Sequence, residues 1–216
     1  MCFSATASFA TAALTGAIGL LTLTRHRRPQ ELSLALVPLI FSAQQVLEGV
    51  LWLTLPSTPA GADPATLVSL YLFFAQVFWP VYAPLAIALA EPDPGRRRPM
   101  FVLLAIGLVV AAFLSWGLAT HPHAATIIDG HIGYVTEVPH LPLVALAYGA
   151  ATCLPMLLSS ERAIVAMGAV VLIGSGLAYL LYWEAFQSVW CFFAAAASAL
   201  LLFHFQALQA RRRALP

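Results

Sequence analysis

Residues 100–119 read MFVLLAIGLVVAAFLSWGLA, twenty positions without a charged side chain. Wound as an α-helix, such a run rises about 30 Å, the thickness of the hydrocarbon core of a bilayer. Arg96, Arg97 and Arg98 stand just before it. The stretch reads as a membrane-crossing helix with a basic flank, and the rest of the chain repeats the pattern. Of 216 residues, 61% are of the AVILMFWYC set and 9% are charged, and the mean hydropathy is +0.88. A soluble domain carries about 25% charged residues. This chain could not cover its own surface in water, which excludes a soluble globular domain and a disordered chain. A net charge of +1, with arginines only in short runs, excludes a nucleic-acid binder.

Working outward, seven segments are long and apolar enough to span: about 5–24, 32–55, 65–90, 100–119, 141–158, 163–182 and 185–208. The expected class is all-α, one transmembrane domain over 1–216, a seven-helix bundle. Turn chemistry separates most spans, as in Arg27-Arg28-Pro29 and Glu91-Pro92-Asp93-Pro94-Gly95. The last break falls at Trp183-Glu184, because 44 residues of unbroken helix would run about 66 Å. The N-terminus does not read as a secretory signal, since its positive charge follows the apolar run.

Charge sets the orientation. All ten basic residues are arginine, and with seven spans all ten fall on one side: Arg25, Arg27, Arg28, Arg96, Arg97, Arg98, Arg162, Arg211, Arg212 and Arg213. The other side holds Asp63, Asp129 and Glu137. The positive-inside rule then places the N-terminus outside and the C-terminus in the cytoplasm. The absence of lysine rules out Schiff-base chemistry, retinal attachment included.

Helices in lipid approach closely through small residues. Ser4, Ser8, Ala12 and Gly16 predict one such stripe, and Gly107, Ala111 and Ser115 another. Pro38, Pro80, Pro84 and Pro155 lie inside spans and predict kinks.

Ionisable groups inside a membrane are costly and mark functional sites by default. Gln45, Glu48 and Trp52 share a face of span two at i, i+3 and i+7, with Gln44 on an adjoining face. Glu184, Gln187 and Cys191 repeat that spacing at the start of span seven. Cys2 opens span one. All lie in the outer half, so if spans one, two and seven are neighbours they converge on one pocket. Gln45, Glu48, Trp52, Glu184 and Gln187 are its candidate ligand-binding residues. Cys2, Glu48 and Cys191 form a candidate metal set, because two thiols and a carboxylate suit zinc or copper. Glu48 is also a candidate proton carrier, since burial disfavours the charged form of a carboxyl. A binding or transport protein, a membrane-embedded enzyme or redox protein using Cys2 or Cys191 with Glu48, and a scaffold whose polar groups only lock helices are the three open classes.

Residues 120–140 form the one long outer loop, with His121, His123, His131 and His140 beside Asp129 and Glu137. Pro122, Gly130, Gly133 and Pro139 predict an irregular lid. The two-residue gap of His121-Pro122-His123 lacks the i, i+4 spacing of a helical zinc site. Cys153 and His204 fall towards the cytoplasmic side and read as packing and interface residues.

Met1-Cys2-Phe3-Ser4-Ala5-Thr6-Ala7-Ser8-Phe9, Gln45 to Trp52 with Glu48-Gly49, Phe73 to Pro80, and Ser188-Val189-Trp190-Cys191-Phe192-Phe193 together resemble an uncharacterised family of bacterial integral membrane proteins. The resemblance covers nearly the whole chain. It implies a multi-pass protein of the bacterial inner membrane with about seven helices; the expected partners are the lipid bilayer and, from the polar pocket read above, a small molecule or metal ion. It implies no assigned activity and transfers no catalytic residue. Relatives are expected to carry a histidine near Gln44, and this chain does not. A ceramidase-like zinc hydrolase fits less well, since that plan needs paired intramembrane histidines and span seven has His204 alone.

Overall fold

A computed structural model of the chain describes residues 4–26, 28–57, 65–128, 130–137, 141–181 and 186–213, with backbone only at 57, 141, 179–181, 186–196 and 211–213. It is mainly helical: α1 Ala5–Leu23, α2 Leu32–Thr54, α3 Ala65–Leu72, α4 Trp79–Ala90, α5 Pro94–Thr120, α6 Leu141–Leu157, α7 Arg162–Leu181 and α8 Phe186–Arg213. A π-helical segment, Phe73–Phe78, joins α3 to α4 without a break, so eight labels describe seven rods. Among the described residues, four stretches are long and apolar enough to cross a membrane: Ala5–Leu23, Pro29–Thr54, Ala65–Ala90 and Pro94–Thr120. Three shorter apolar helices follow within α6, α7 and α8.

Local chemistry sets the helix starts. The Ser4 hydroxyl accepts from the Ala7 N–H at 3.2 Å, and Asp93 accepts from the Gly95 N–H at 2.8 Å with Pro94 at the first helical position. Because α5 begins at Pro94, Arg96, Arg97 and Arg98 lie in its first turns. The expected loop there shrinks to Glu91–Asp93.

The rods α1 and α2 pack antiparallel along their length. Thr22 donates to the Ala35 carbonyl at 2.9 Å, and Ser42 to the Ala12 carbonyl at 2.7 Å. A Cβ on Gly19 would stand 2.5 Å from Leu39, and one on Gly49 would stand 2.8 Å from the Phe9 ring. The buried stripe of α1 runs Ser8, Ala12, Thr15, Gly19 and Thr22. The expected four-step stripe holds from Ser8 through Ala12 to Gly16, where a Cβ would stand 3.0 Å from the Ser42 hydroxyl, but Ser4 is exposed and the seam continues through Thr15, Gly19 and Thr22. A 3.6-residue helix drifts off a strict four-step row, and alternating steps of four and three keep one seam facing the partner. The device expected in span four holds only in part: Gly107 and Ala111 are buried, but Ser115 is exposed. The last rod, α8, packs on α7, α1 and α2.

Prolines shape the third rod. Pro84 has no N–H to give the Pro80 carbonyl, and Gly107 of α5 lies against that oxygen, where a Cβ would come within 1.8 Å. In the π-register the Ala75 carbonyl would accept from residue 80, which is also proline. The Tyr148 hydroxyl of α6 supplies the bond instead, at 2.7 Å.

The outer loop is ordered where an irregular lid was expected. His123–Ile128 and His131–Thr136 form an antiparallel hairpin, with Ile128 opposite His131. Gly130, in the connection, takes φ +77°. Asp-Gly between two β-branched runs is the sequence signal for such a turn. One face of the hairpin, Ala125, Ile132 and Tyr134, docks on Leu51, Val68, Tyr71 and Leu72. The Tyr71 and Tyr134 rings stack at 4.6 Å.

Candidate functional site

Three positions on α2 set its faces. Ala35, Ser42 and Gly49 turn towards α1, while Gln44 turns towards α4, where it meets Trp79. Gln45, Glu48 and Trp52 fall between these two directions, on the side where α8 packs against α1 and α2. Span neighbours one, two and seven are thus side by side, as the sequence reading required.

Gln44 and Glu48 have no exposed surface, and Gln45 has 1%. Gln45 Nε2 donates to Glu48 Oε2 at 3.2 Å. The Trp79 indole donates to Gln44 Oε1 at 2.7 Å, and its ring stacks on Phe41 at 4.0 Å. Gln44 Nε2, Trp52 Nε1 and Ser8 Oγ are buried without a hydrogen-bond partner among the described residues. The pairings Ala12 with Ser42 and Phe9 with Gly49 bring Ser8 to the level of Glu48. Phe41 and Trp79 also wall an apolar cavity of about 50 Å³ that includes Thr152, Met156, Met167 and Ser198 in its lining.

Two calculations of cost bear on this arrangement. A buried donor left unpaired costs about 1–3 kcal/mol. A carboxyl at this depth costs more unless it is neutralised or bonded. The half of the bundle away from Arg96 and Arg162 therefore stores polarity that packing alone does not require.

Cys2 and Glu184 lie outside the described residues. Gln187 and Cys191 lie on α8, where the backbone alone is described, so the sequence-predicted meeting of these four with Glu48 rests on the helix arrangement. Among the described residues, no three of His, Cys, Asp and Glu stand together as a metal site. The loop histidines do not gather either. His123 Nε2 bonds the Ser69 hydroxyl of α3 at 2.7 Å, His121 Nδ1 lies 2.9 Å from the Thr120 hydroxyl, and position 140 is outside the described residues. Cys153 is buried in the core with its thiol free.

Sequence reasoning missed two groups. Trp79 gave no polar signal, since an indole in an apolar run reads as packing. Glu91 read as a turn residue, yet it is 3% exposed. It accepts from the Ser159 hydroxyl at 3.0 Å, the Ser160 hydroxyl at 2.6 Å, the Ser160 N–H at 2.9 Å and the Asp93 N–H at 3.1 Å. Burial pushes its pKa up, but the donors of Ser160, Asp93 and Ser159 outweigh that and hold it below the ordinary carboxylate value. Arg96 donates to the carbonyls of Leu158 and Ser159 beside it. His204 is buried with Nδ1 at 4.0 Å from Glu161, tying α8 to the same end.

A family model described as "Family of unknown function (DUF6629)" matches residues 1–215. No curated protein and no solved structure matches the chain.

Proposed function

We propose, for a chain that belongs to the family of unknown function DUF6629 and so inherits no activity from it, that it is a multi-pass membrane protein binding or transporting a small ligand in a polar pocket of its outer half, with Glu48 as the proton-carrying group. The protein crosses a bacterial inner membrane seven times, N-terminus outside and C-terminus in the cytoplasm. The turns bearing Arg96 and Arg162 meet at one end of the bundle, through Glu91 with Ser159 and Ser160, which fits the positive-inside rule. The hairpin packs on α3 and α8 at the arginine-free end and caps the pocket from outside.

The observation that carries the reading is Glu48 itself: a carboxyl in mid-helix, fully buried, with Gln44 and Gln45 beside it. Helices can be joined by one amide pair. A carboxyl, two amides and an indole on one level exceed that need, and intramembrane acids in bundle interiors serve proton relays and substrate sites.

Infrared difference spectroscopy of the protein in lipid nanodiscs tests it. A carboxyl carbonyl band that titrates with pH and vanishes in Glu48→Gln is the expected result. A spectrum unchanged by Glu48→Gln overturns the proton-carrying role.

A further inference from the structure

The orientation of the Gln44 amide is fixed by its neighbour. An indole N–H can only donate, so the atom facing Trp79 Nε1 at 2.7 Å must be the carbonyl oxygen. A flipped amide would set two donors against each other. Nε2 is therefore held on the opposite side of the group, fully buried, and it finds no acceptor among the described residues. The usual relief for a buried unsatisfied amide, exchange of its two ends, is closed here. Leucine would fill the same space without the cost. Ser8 Oγ and Trp52 Nε1, the other buried groups of this half without partners, also carry hydrogens to give.

Charge narrows the occupant. A metal cation needs electron pairs, and neither Gln44 Nε2 nor Trp52 Nε1 has one to give, so a cation would leave both unsatisfied. A bare anion needs a positive group, but the chain has no lysine and no arginine among the described residues lies in this half. Burying an unpaired charge there would be prohibitive. A neutral molecule with an acceptor oxygen meets neither objection. Glu48 stands one helical turn from Gln44, about 5–6 Å between β-carbons. A carboxyl group accepts through its oxygens in either protonation state, so it can take an N–H or O–H from the same molecule.

We infer that the pocket beside Glu48 holds its ligand by a carbonyl oxygen accepting from Gln44 Nε2, and that the ligand class is a small neutral carboxamide or undissociated carboxylic acid. The inference rests on the pocket proposed above and names what fills it.

The test follows the side-chain amide signals of ¹⁵N-glutamine-labelled full-length protein in nanodiscs, with the Gln44 pair assigned by its loss in Gln44→Leu. Acetamide is the probe, and zinc chloride and sodium acetate at alkaline pH are the counter-probes. A saturable shift of the Gln44 pair with acetamide alone, weakened severalfold in Glu48→Gln, is expected. Trp79→Phe, which releases the amide to rotate, is expected to weaken it similarly while the protein still folds. A shift with zinc but not acetamide, or no saturable shift with acetamide, overturns the assignment. A titrating Glu48 band alongside either of those results would leave the proton-carrying reading standing and the ligand class wrong.

Discussion

Glu48 and Glu91 are both buried carboxyls, and the chain treats them in opposite ways. Glu91 sits at the arginine-bearing end, where two interhelical turns meet, and four donors from three residues converge on it. It behaves as a rivet: its charge is used up in holding α4 and α5 to α6 and α7. Glu48 sits mid-helix at the other end, among groups that include three buried atoms with no partner among the described residues. The cluster around Glu91 is closed in its hydrogen bonding, whereas the level of Glu48 keeps donors that find no partner among the described residues. The contrast teaches that buried polarity alone does not mark a site. What distinguishes the level of Glu48 is polarity that the fold leaves unspent.

The comparison can be broken at the closed end first, where the largest effects are expected. Glu91→Ala strands the Ser159 and Ser160 donors and should destabilise the protein by about 3 kcal/mol. Thermal unfolding in nanodiscs reads this, and a change within error would remove the rivet. The same group predicts a pH dependence with a definite sign. Its native pKa is lowered, so its contribution is fully present above the ordinary carboxylate value and is lost as pH falls through the native one. In Glu91→Gln that acid-side loss of stability should be flatter than in the parent.

Next is the close approach that positions the third rod. A Cβ at Gly107 would sit 1.8 Å from the Pro80 carbonyl, while one at Gly117 in the same helix meets nothing within 4 Å. Gly107→Ala should cost about 2 kcal/mol or more, whereas Gly117→Ala should be neutral or stabilising by up to about 1 kcal/mol. Equal effects at the two positions would mean that α5 does not lean on that carbonyl.

The hairpin gives a smaller effect. Gly130→Ala forces a side chain into φ +77° and should cost about 1 kcal/mol. Faster hydrogen exchange confined to 123–136 is the expected signature. Loss spread over the whole bundle would mean that the hairpin is part of the core and not a cap.

The smallest stability effect is expected at Glu48. Glutamine has the same shape and still offers an oxygen to Gln45 Nε2, so Glu48→Gln should alter unfolding by less than about 1 kcal/mol. Ligand and proton behaviour should change all the same. A loss as large as that of Glu91→Ala would put the two glutamates in one class and end the comparison.

Legibility from sequence differed between the two ends. The face carrying Gln45, Glu48 and Trp52 was readable because i, i+3 and i+7 is a property of one helix. The hairpin was readable in principle from Asp129-Gly130 and was missed because glycines and prolines nearby suggested irregularity. The role of Glu91 was not readable, because Ser159 and Ser160 stand sixty-eight and sixty-nine positions away, and only the meeting of two turns joins them.

By itself, then, the sequence determined the apolar, helical character of the chain, the number of rods, the end that carries the arginines and the helix face that carries the acid. Each is set by composition or by the repeat of a single helix. Tertiary structure decided that Trp79 orients Gln44, that Gly107 rests on the Pro80 carbonyl and that the hairpin docks on Tyr71. These depend on the height and rotation of helices far apart in the chain, which side-chain packing and hydrogen bonding set only once the bundle has assembled.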